Sequence, residues 1–444
     1  MNDRCVVVGN GCASMECVKH AREAGFRGEI VVVSDGSGPS YNPMLITYFA
    51  AGEIDYAALF PYGDDFGFYE KHGALCRFGS PVASIDTDKR VVKNRDGLEL
   101  AYDKCVIASG ASPVLPDVFL GAGNSVNTLR TIDDAQKFKG MLASGNKRAM
   151  VVGASMTGIK AVEALVGAGF DVVLADVADR VFPLAAHKNC AEMIHRVLKG
   201  KNVTLVFGSP IERVEERDGG FKVFFAGGRE PENADHMIVC AGVRPNISFI
   251  DPKQIKTDKG VIVNEYMETS ADGVYAAGDV CQSRDISSGG TQVFGILAGA
   301  RLQGRTAGRN IAGKKTKCPG TLSHNITHFF GCDFVGIGNI EGGDSAYESV
   351  DEANGRYVRL AFSEGRLVGA NLWNAPEISG ILKYHLAKGM TDGNAMALCQ
   401  NECLAMNRLF SQFPGIENAI VENAIIENAM TENAMTENAS MKRR

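Results

Sequence analysis

The sequence predicts an α/β chain made of two similar three-layer halves followed by a smaller α+β domain. Three observations lead there. The order strand, glycine turn, helix, strand occurs at the start of the chain and again from Ala149. Each copy later reaches a short apolar strand ending in glycine, Val106-Ile107-Ala108-Ser109-Gly110 and Ile238-Val239-Cys240-Ala241-Gly242. From about Lys317 the glycine turn no longer appears, and strands and helices mix.

Cys5-Val6-Val7-Val8 is an apolar run of the kind buried on both faces of a parallel sheet. Gly9-Asn10-Gly11-Cys12-Ala13-Ser14 follows, then a helix through Ala24 with Gly25 as its stop, and a second buried strand, Ile30-Val31-Val32-Val33. Arg90-Val91-Val92-Lys93 reads as an antiparallel strand. The second copy begins with Ala149-Met150-Val151-Val152 and turns through Gly153-Ala154-Ser155-Met156-Thr157-Gly158. It continues as a helix to about Ala168 and a strand ending at Asp176, and Phe221-Lys222-Val223-Phe224-Phe225 repeats the antiparallel insertion. This is the pattern of Rossmann-type dinucleotide-binding domains. The expected division is residues 1–118 with 245–316 as a discontinuous first domain, 119–244 as the second and 317–410 as a C-terminal interface domain. Residues 411–444 form a tail in which Glu-Asn-Ala recurs every five residues from Glu417. That period fits neither a helix nor a strand, so a flexible or partly helical tail is expected.

Composition narrows the function. A chain of 444 residues, 45% hydrophobic and 22% charged, suits two or three globular domains. Its net charge of −6 and lack of a basic stripe argue against nucleic-acid binding. No run approaches the roughly 18 apolar residues of a membrane span, and Met1-Asn2-Asp3-Arg4 leads straight into a strand without a secretion signal. A cytoplasmic location is expected. The 12 cysteines are scattered, and most sit in strand or helix patterns, as inert buried thiols do.

A glycine turn between strand and helix suits a pyrophosphate. The first small residue permits the turn, the second lets the phosphates approach, and the helix N-terminus attracts their charge. The first copy offers Gly9, Gly11 and Ser14, with Asp35 as the acid that would bond an adenosine ribose or serve as an ordinary turn aspartate. The second offers Gly153, Ser155 and Gly158, with Asp176 at the strand end. A carboxylate there favours a free 2′-hydroxyl and repels a 2′-phosphate, so NADH is expected over NADPH. Arg180, four residues on, would soften that preference.

Further motifs make the resemblance specific: Tyr102-Asp103-Lys104 through Gly110, Asp179-Arg180, Ala241-Gly242-Val243-Arg244-Pro245-Asn246, Val274-Tyr275-Ala276-Ala277-Gly278-Asp279-Val280 and Gln303-Gly304-Arg305. With the two turns, and over roughly residues 4–410, the chain resembles the FAD-dependent pyridine nucleotide-disulfide oxidoreductase superfamily. Rubredoxin and ferredoxin reductases, the flavin part of nitrite reductases and the NADH oxidase/CoA-disulfide reductase branch are the most similar groups. The resemblance implies FAD on the first domain, with Ser109, Gly110, Gly278 and Asp279 at its site, and a nicotinamide dinucleotide on the second, with Gly242 beside it. It implies a helix from near Phe294 aimed at the flavin, a homodimer, and Phe329 or Phe330 on the acceptor face. The cofactors carry the chemistry, so no catalytic side chain and no metal ligand is named. The acceptor implied is an electron-carrier protein or an iron–sulfur partner subunit.

Two departures bear on mechanism. Met44, in Pro43-Met44-Leu45-Ile46-Thr47-Tyr48, stands where thiol-dependent branches place a redox cysteine, and no cysteine lies between Cys17 and Cys76. A thioether forms no thiolate, which disfavours the alternative of an NADH oxidase or CoA-disulfide reductase. Lys160 replaces a glutamate that many relatives direct at the nicotinamide, and is expected to meet a phosphate or point to solvent. With Ser155 it leaves open a flavin subunit of a larger dehydrogenase. Cys399 and Cys403 are expected to be packing residues. His324 and His328 are expected in a strand or packed segment rather than at a metal.

Overall fold

Two parallel sheets of five strands organise the chain. In the first, the strands run in the order Val274–Ala276, Lys104–Ile107, Arg4–Val8, Glu29–Val33, Ala74–Arg77. In the second the order is Thr204–Phe207, Asp171–Asp176, Arg148–Val152, His236–Val239, Val126–Thr128. Cys5 through Val8 and Ile30 through Val33 are buried, which is why these stretches carry valine on both faces. Val6 pairs with Val31 on one side and Cys105 on the other, and Val151 with Leu174 and Ile238. The two halves are thus the same construction. Antiparallel three-stranded insertions follow the same scheme in each, one including Val91–Asn94 and the other Gly220–Phe225.

The computed structural model describes residues 3–145, 147–217 and 219–388; the expectations for the 411–444 tail and for Cys399 and Cys403 lie outside them. An antiparallel pair, Ala111–Pro113 with Val243–Pro245, lies where the chain leaves the first sheet and where it returns. A five-stranded antiparallel sheet from His324–Phe329 to Arg366–Trp373, with a helix over Ser379–Lys388, completes the described fold. No helix among the described residues is long and apolar enough to cross a membrane.

Three helices matter for the site: α1 (Cys12–Glu23), α2 (Met156–Gly167) and α3 (Leu297–Ile311). α3 starts three residues beyond the expected Phe294, because Thr291–Val293 is a strand and Ile296 is still extended (φ −128°). α1 and α3 pack backbone to backbone. A side chain at Gly304 would come within 2.2 Å of the Ala13 carbonyl oxygen, and one at Gly308 within 2.3 Å of that of Cys17.

Candidate active site: two phosphate cradles

The first cradle grows from the end of Arg4–Val8. Gly9 has φ +111°, and a Cβ there would lie 2.1 Å from the Ala108 carbonyl oxygen, so only glycine makes this turn. Its amide donates to Val33 O at 2.7 Å. Gly11 then caps α1 with extended backbone, no side chain occupies the helix N-terminus, and no acid lies in the first turn. A Cβ on Gly11 would meet nothing within 4 Å. The positive end of α1 therefore faces open space. Ser14 is fully buried and its hydroxyl has no partner among the described residues.

A cavity of about 110 Å³ adjoins this turn, lined by Gly11, Met44, Gly110, Arg130, Gly278 and Asp279 among others. It brings together four sequence-predicted residues, Gly11, Gly110, Gly278 and Asp279. Gly9 shapes the turn behind it, and Ser109 is tied to Asn246 by reciprocal bonds of 2.8 and 2.9 Å. Asp35 is exposed, with Ser34 Oγ at 3.4 Å. Arg130, missed in the sequence, is ion-paired to Asp279 at 2.8 Å. Gln303, 2% exposed, accepts from the Gly278 amide (2.8 Å) and Cys281 Sγ (3.2 Å) and donates to Ser283 Oγ (2.9 Å) and Thr321 Oγ1 (3.3 Å). Every hydrogen-bonding group of its amide is in use, and the Gly278-Asp279 turn is held by it.

The second cradle differs in one respect. Ser155 supplies its own cap to α2, its hydroxyl accepting from the Gly158 amide (3.2 Å) and donating to Cys240 O (3.0 Å). Gly158 lies beneath, where a Cβ would come within 2.0 Å of Gly153 O. Asp176 accepts from the amides of Ala154 (2.7 Å) and Ala178 (2.9 Å). A cleft of about 1000 Å³ is lined by Gly153, Ser155, Asp176 and Gly242, with Phe294, Gly295 and Ile296 across it. Gly295 lines both cavities.

The expectation for Lys160 is corrected. Lys160 neither faces a phosphate site nor points to solvent. It is 8% exposed, paired with Glu163, donates to His328 O at 3.3 Å and stands 4.4 Å from the Tyr48 ring centroid. Arg180 is engaged by Ala186 O, Asp179 and Glu341. Of the two candidates Phe329 and Phe330, Phe329 is fully buried against Phe182 and Trp373, and Phe330 is partly exposed. His324 and His328 lie in one strand, as expected. His328 bonds Asp333 at 2.8 Å, while burial pushes the His324 imidazole down to about 4. Among the described residues no group of three His, Cys, Asp or Glu side chains could hold a metal.

The His324 shift has a testable sign. Because its folded value lies below the ordinary 6.5, its contribution to stability is complete above pH 6.5 and declines as pH falls towards 4. Urea titrations at pH 7.5 and 4.5 are expected to show a smaller acid-side loss for His324→Asn than for the parent.

Most of the described thiols are buried. Cys5, Cys105 and Cys240 are buried, and Cys12, nearest the first cradle, is pushed up to about 11, chiefly by desolvation.

A sequence model for pyridine nucleotide-disulphide oxidoreductases matches residues 3–302. The chain belongs to this family. Family members are NAD(P)H-dependent flavin oxidoreductases, so the protein is an enzyme that binds FAD and NAD(P)H. It is 29% identical over 82% of its length to the NADH-dependent phenylglyoxylate dehydrogenase subunit epsilon of Aromatoleum evansii, covering 86% of that protein. It is 25% identical to the rubredoxin-NAD(+) reductase of Ectopseudomonas oleovorans, over 85% of this chain and 97% of that one. Among solved structures, putidaredoxin reductase in its covalent complex with putidaredoxin superposes with a TM-score of 0.84 at 22% identity, covering 93% of this chain and 99% of that chain, a likeness of fold. The NAD-dependent persulfide reductase of A. fulgidus gives 0.81 at 26%, covering 88% and 78%. For this oxidoreductase the first cradle fits FAD: α1 is uncapped, space is open at Gly11, and a buried serine hydroxyl lacks a partner among the described residues.

Proposed function

We propose that this oxidoreductase moves hydride between NADH and FAD and passes the electrons to a protein acceptor, either a carrier such as rubredoxin or ferredoxin or an iron–sulfur partner subunit. The observation that carries this is Gly295, a wall common to the cavity of the first cradle and the cleft of the second. Cofactors held in the two cradles would meet there. Residues 1–118 with 245–316 would form the FAD domain, 119–244 the NADH domain and 317–410 an interface domain of a cytoplasmic homodimer. Gly9, Gly11 and Ser14 would hold the flavin pyrophosphate, Asp35 its adenosine ribose, and Ser109, Gly110, Gly278 and Asp279 the rest of its length. Arg130 would neutralise phosphate charge beside Asp279.

FAD supplies the hydride acceptor and the means of releasing electrons singly. The protein's part is position. Gln303 fixes the Gly278-Asp279 turn, and Gly153, Ser155, Gly158 and Gly242 would seat NADH. Asp176, lining the cleft, would accept from a free 2′-hydroxyl. Met44, on the cavity rim and 58% exposed, gives no thiolate, which disfavours disulfide and thiol-based oxygen chemistry.

The test is anaerobic. NADH added to the purified flavoprotein under argon is expected to bleach the flavin within seconds, and a panel of one-electron carrier proteins to restore its colour. The relative named as a dehydrogenase subunit favours a second reading, a flavin subunit of a larger complex. Bound FAD that NADH leaves unbleached supports that reading and overturns the first. Sustained oxygen uptake to water would return the oxidase.

A further inference from the structure

Arg180 is the only lysine or arginine between Asp176 and Lys188, in the loop following the strand that carries Asp176. Both ends of that loop are tied to one residue of the second glycine turn. Asp176 Oδ2 accepts from Ala154 N at 2.7 Å, and Phe182 N donates to Ala154 O at 2.9 Å. Its backbone is fixed further by Gly208 N to Ala178 O at 2.8 Å and by Val181 N to His195 Nε2 at 3.2 Å. The loop's one cation, Arg180, is held by its side chain. It has three anchors: Nε donates to Ala186 O (3.1 Å), Nη1 to Asp179 Oδ1 (3.0 Å) and Nη2 to Glu341 Oε1 (2.8 Å). Asp179 and Ala186 belong to the same stretch of chain. Glu341 comes from the connection between the strands Cys332–Gly338 and Ser345–Asp351 of the C-terminal sheet, 161 residues away, and Asn339, two residues before it, lines the dinucleotide cleft with Asp176.

We infer that Glu341 is a specificity-determining residue. It holds the Arg180 guanidinium away from the ribose 2′ position and so denies the cleft a cation for a 2′-phosphorylated dinucleotide. The inference rests on the proposed dinucleotide reading. It acts by position: an ion pair this exposed adds little to stability, yet a planar, five-donor guanidinium goes where its best acceptors are, and a phosphate is as good an acceptor as a carboxylate. Lys259 also lines the cleft, but from a segment whose neighbour Val261 pairs with Cys281, in the proposed FAD domain rather than on the wall that carries Asp176.

The test uses the purified holoprotein and calorimetry with ADP-ribose and adenosine 2′,5′-bisphosphate, neither of which needs electron transfer. E341A, with E341Q as the shape-preserving variant, is expected to tighten binding of the bisphosphate by about tenfold and to leave ADP-ribose affinity unchanged. The ratio of KM for NADPH to KM for NADH is expected to fall in parallel. The R180A/E341A double variant is expected to lose the gain, and K259A to leave it intact. Unchanged bisphosphate affinity in E341A and E341Q, or a gain that survives in R180A/E341A, overturns the inference while the dinucleotide reading stands. Failure of ADP-ribose to bind the parent protein removes both.

Discussion

Replacing Gly11 by valine is expected to yield a folded, colourless protein. The backbone at Gly11 (φ −90°, ψ −175°) is one that valine adopts readily, and its Cβ would meet no protein atom within 4 Å. The cost to folding is therefore that of a poorer helix cap, about 1 kcal/mol. The isopropyl group, however, fills the space through which a pyrophosphate reaches the α1 amides, so FAD affinity is expected to fall by a factor on the order of a hundred or more. The control is Gly9→Ala. There the added carbon would lie 2.1 Å from Ala108 O on a backbone at φ +111°, so loss of flavin comes with loss of thermal stability. Circular dichroism melts and the 450 nm absorbance of both variants separate the two effects. Yellow Gly11→Val protein with parental FAD affinity would show that the flavin pyrophosphate lies elsewhere.

The second large effect is expected at Lys160. Its ammonium is enclosed by Glu163, His328 O and the Tyr48 ring, and Glu163 also accepts from the Phe330 amide at 2.6 Å. One ion pair thus fastens α2 to the segment bearing Met44 and to the first hairpin of the C-terminal sheet. Removing one member of such a pair leaves the other charged and desolvated. Lys160→Met is expected to cost about 2–3 kcal/mol, and Lys160→Glu, which sets two carboxylates side by side, about 3–5 kcal/mol. Urea denaturation gives both values. A K160E midpoint equal to the parent's would mean that the junction does not depend on this pair.

Both predictions concern residues visible in the sequence, but to different degrees. Gly11 could be read because its meaning is local: buried strand, turn and helix follow one another within a few residues. Asp176 and Gly153 were legible for the same reason. Lys160 could be marked as unusual, but its partner's backbone at His328 lies 168 residues away, and no periodicity reports such a contact. Arg130 escaped notice because it reads as the residue before a helix with a Thr131–Asp134 capping box; its charge matters through Asp279, 149 residues on. Of Phe329 and Phe330, which the family resemblance alone put on an acceptor face, strand alternation turns Phe329 inward and His328 outward. Ser155 read as a glycine substitute, yet its hydroxyl caps α2.

The contact of α1 with α3 through Gly304 and Gly308 has a bearing on how long the flavin stays. Both helices begin at the rim of the same small cavity, and with their backbones touching they behave as one rigid block. Neither Gly304 nor Gly308 leaves room between the two helices for even a methyl group. A molecule seated there would lean on two helix ends that are packed firmly together. On the proposed reading the flavin would be a firmly seated fitting, while the larger cleft of the second cradle would take and release its nicotinamide partner.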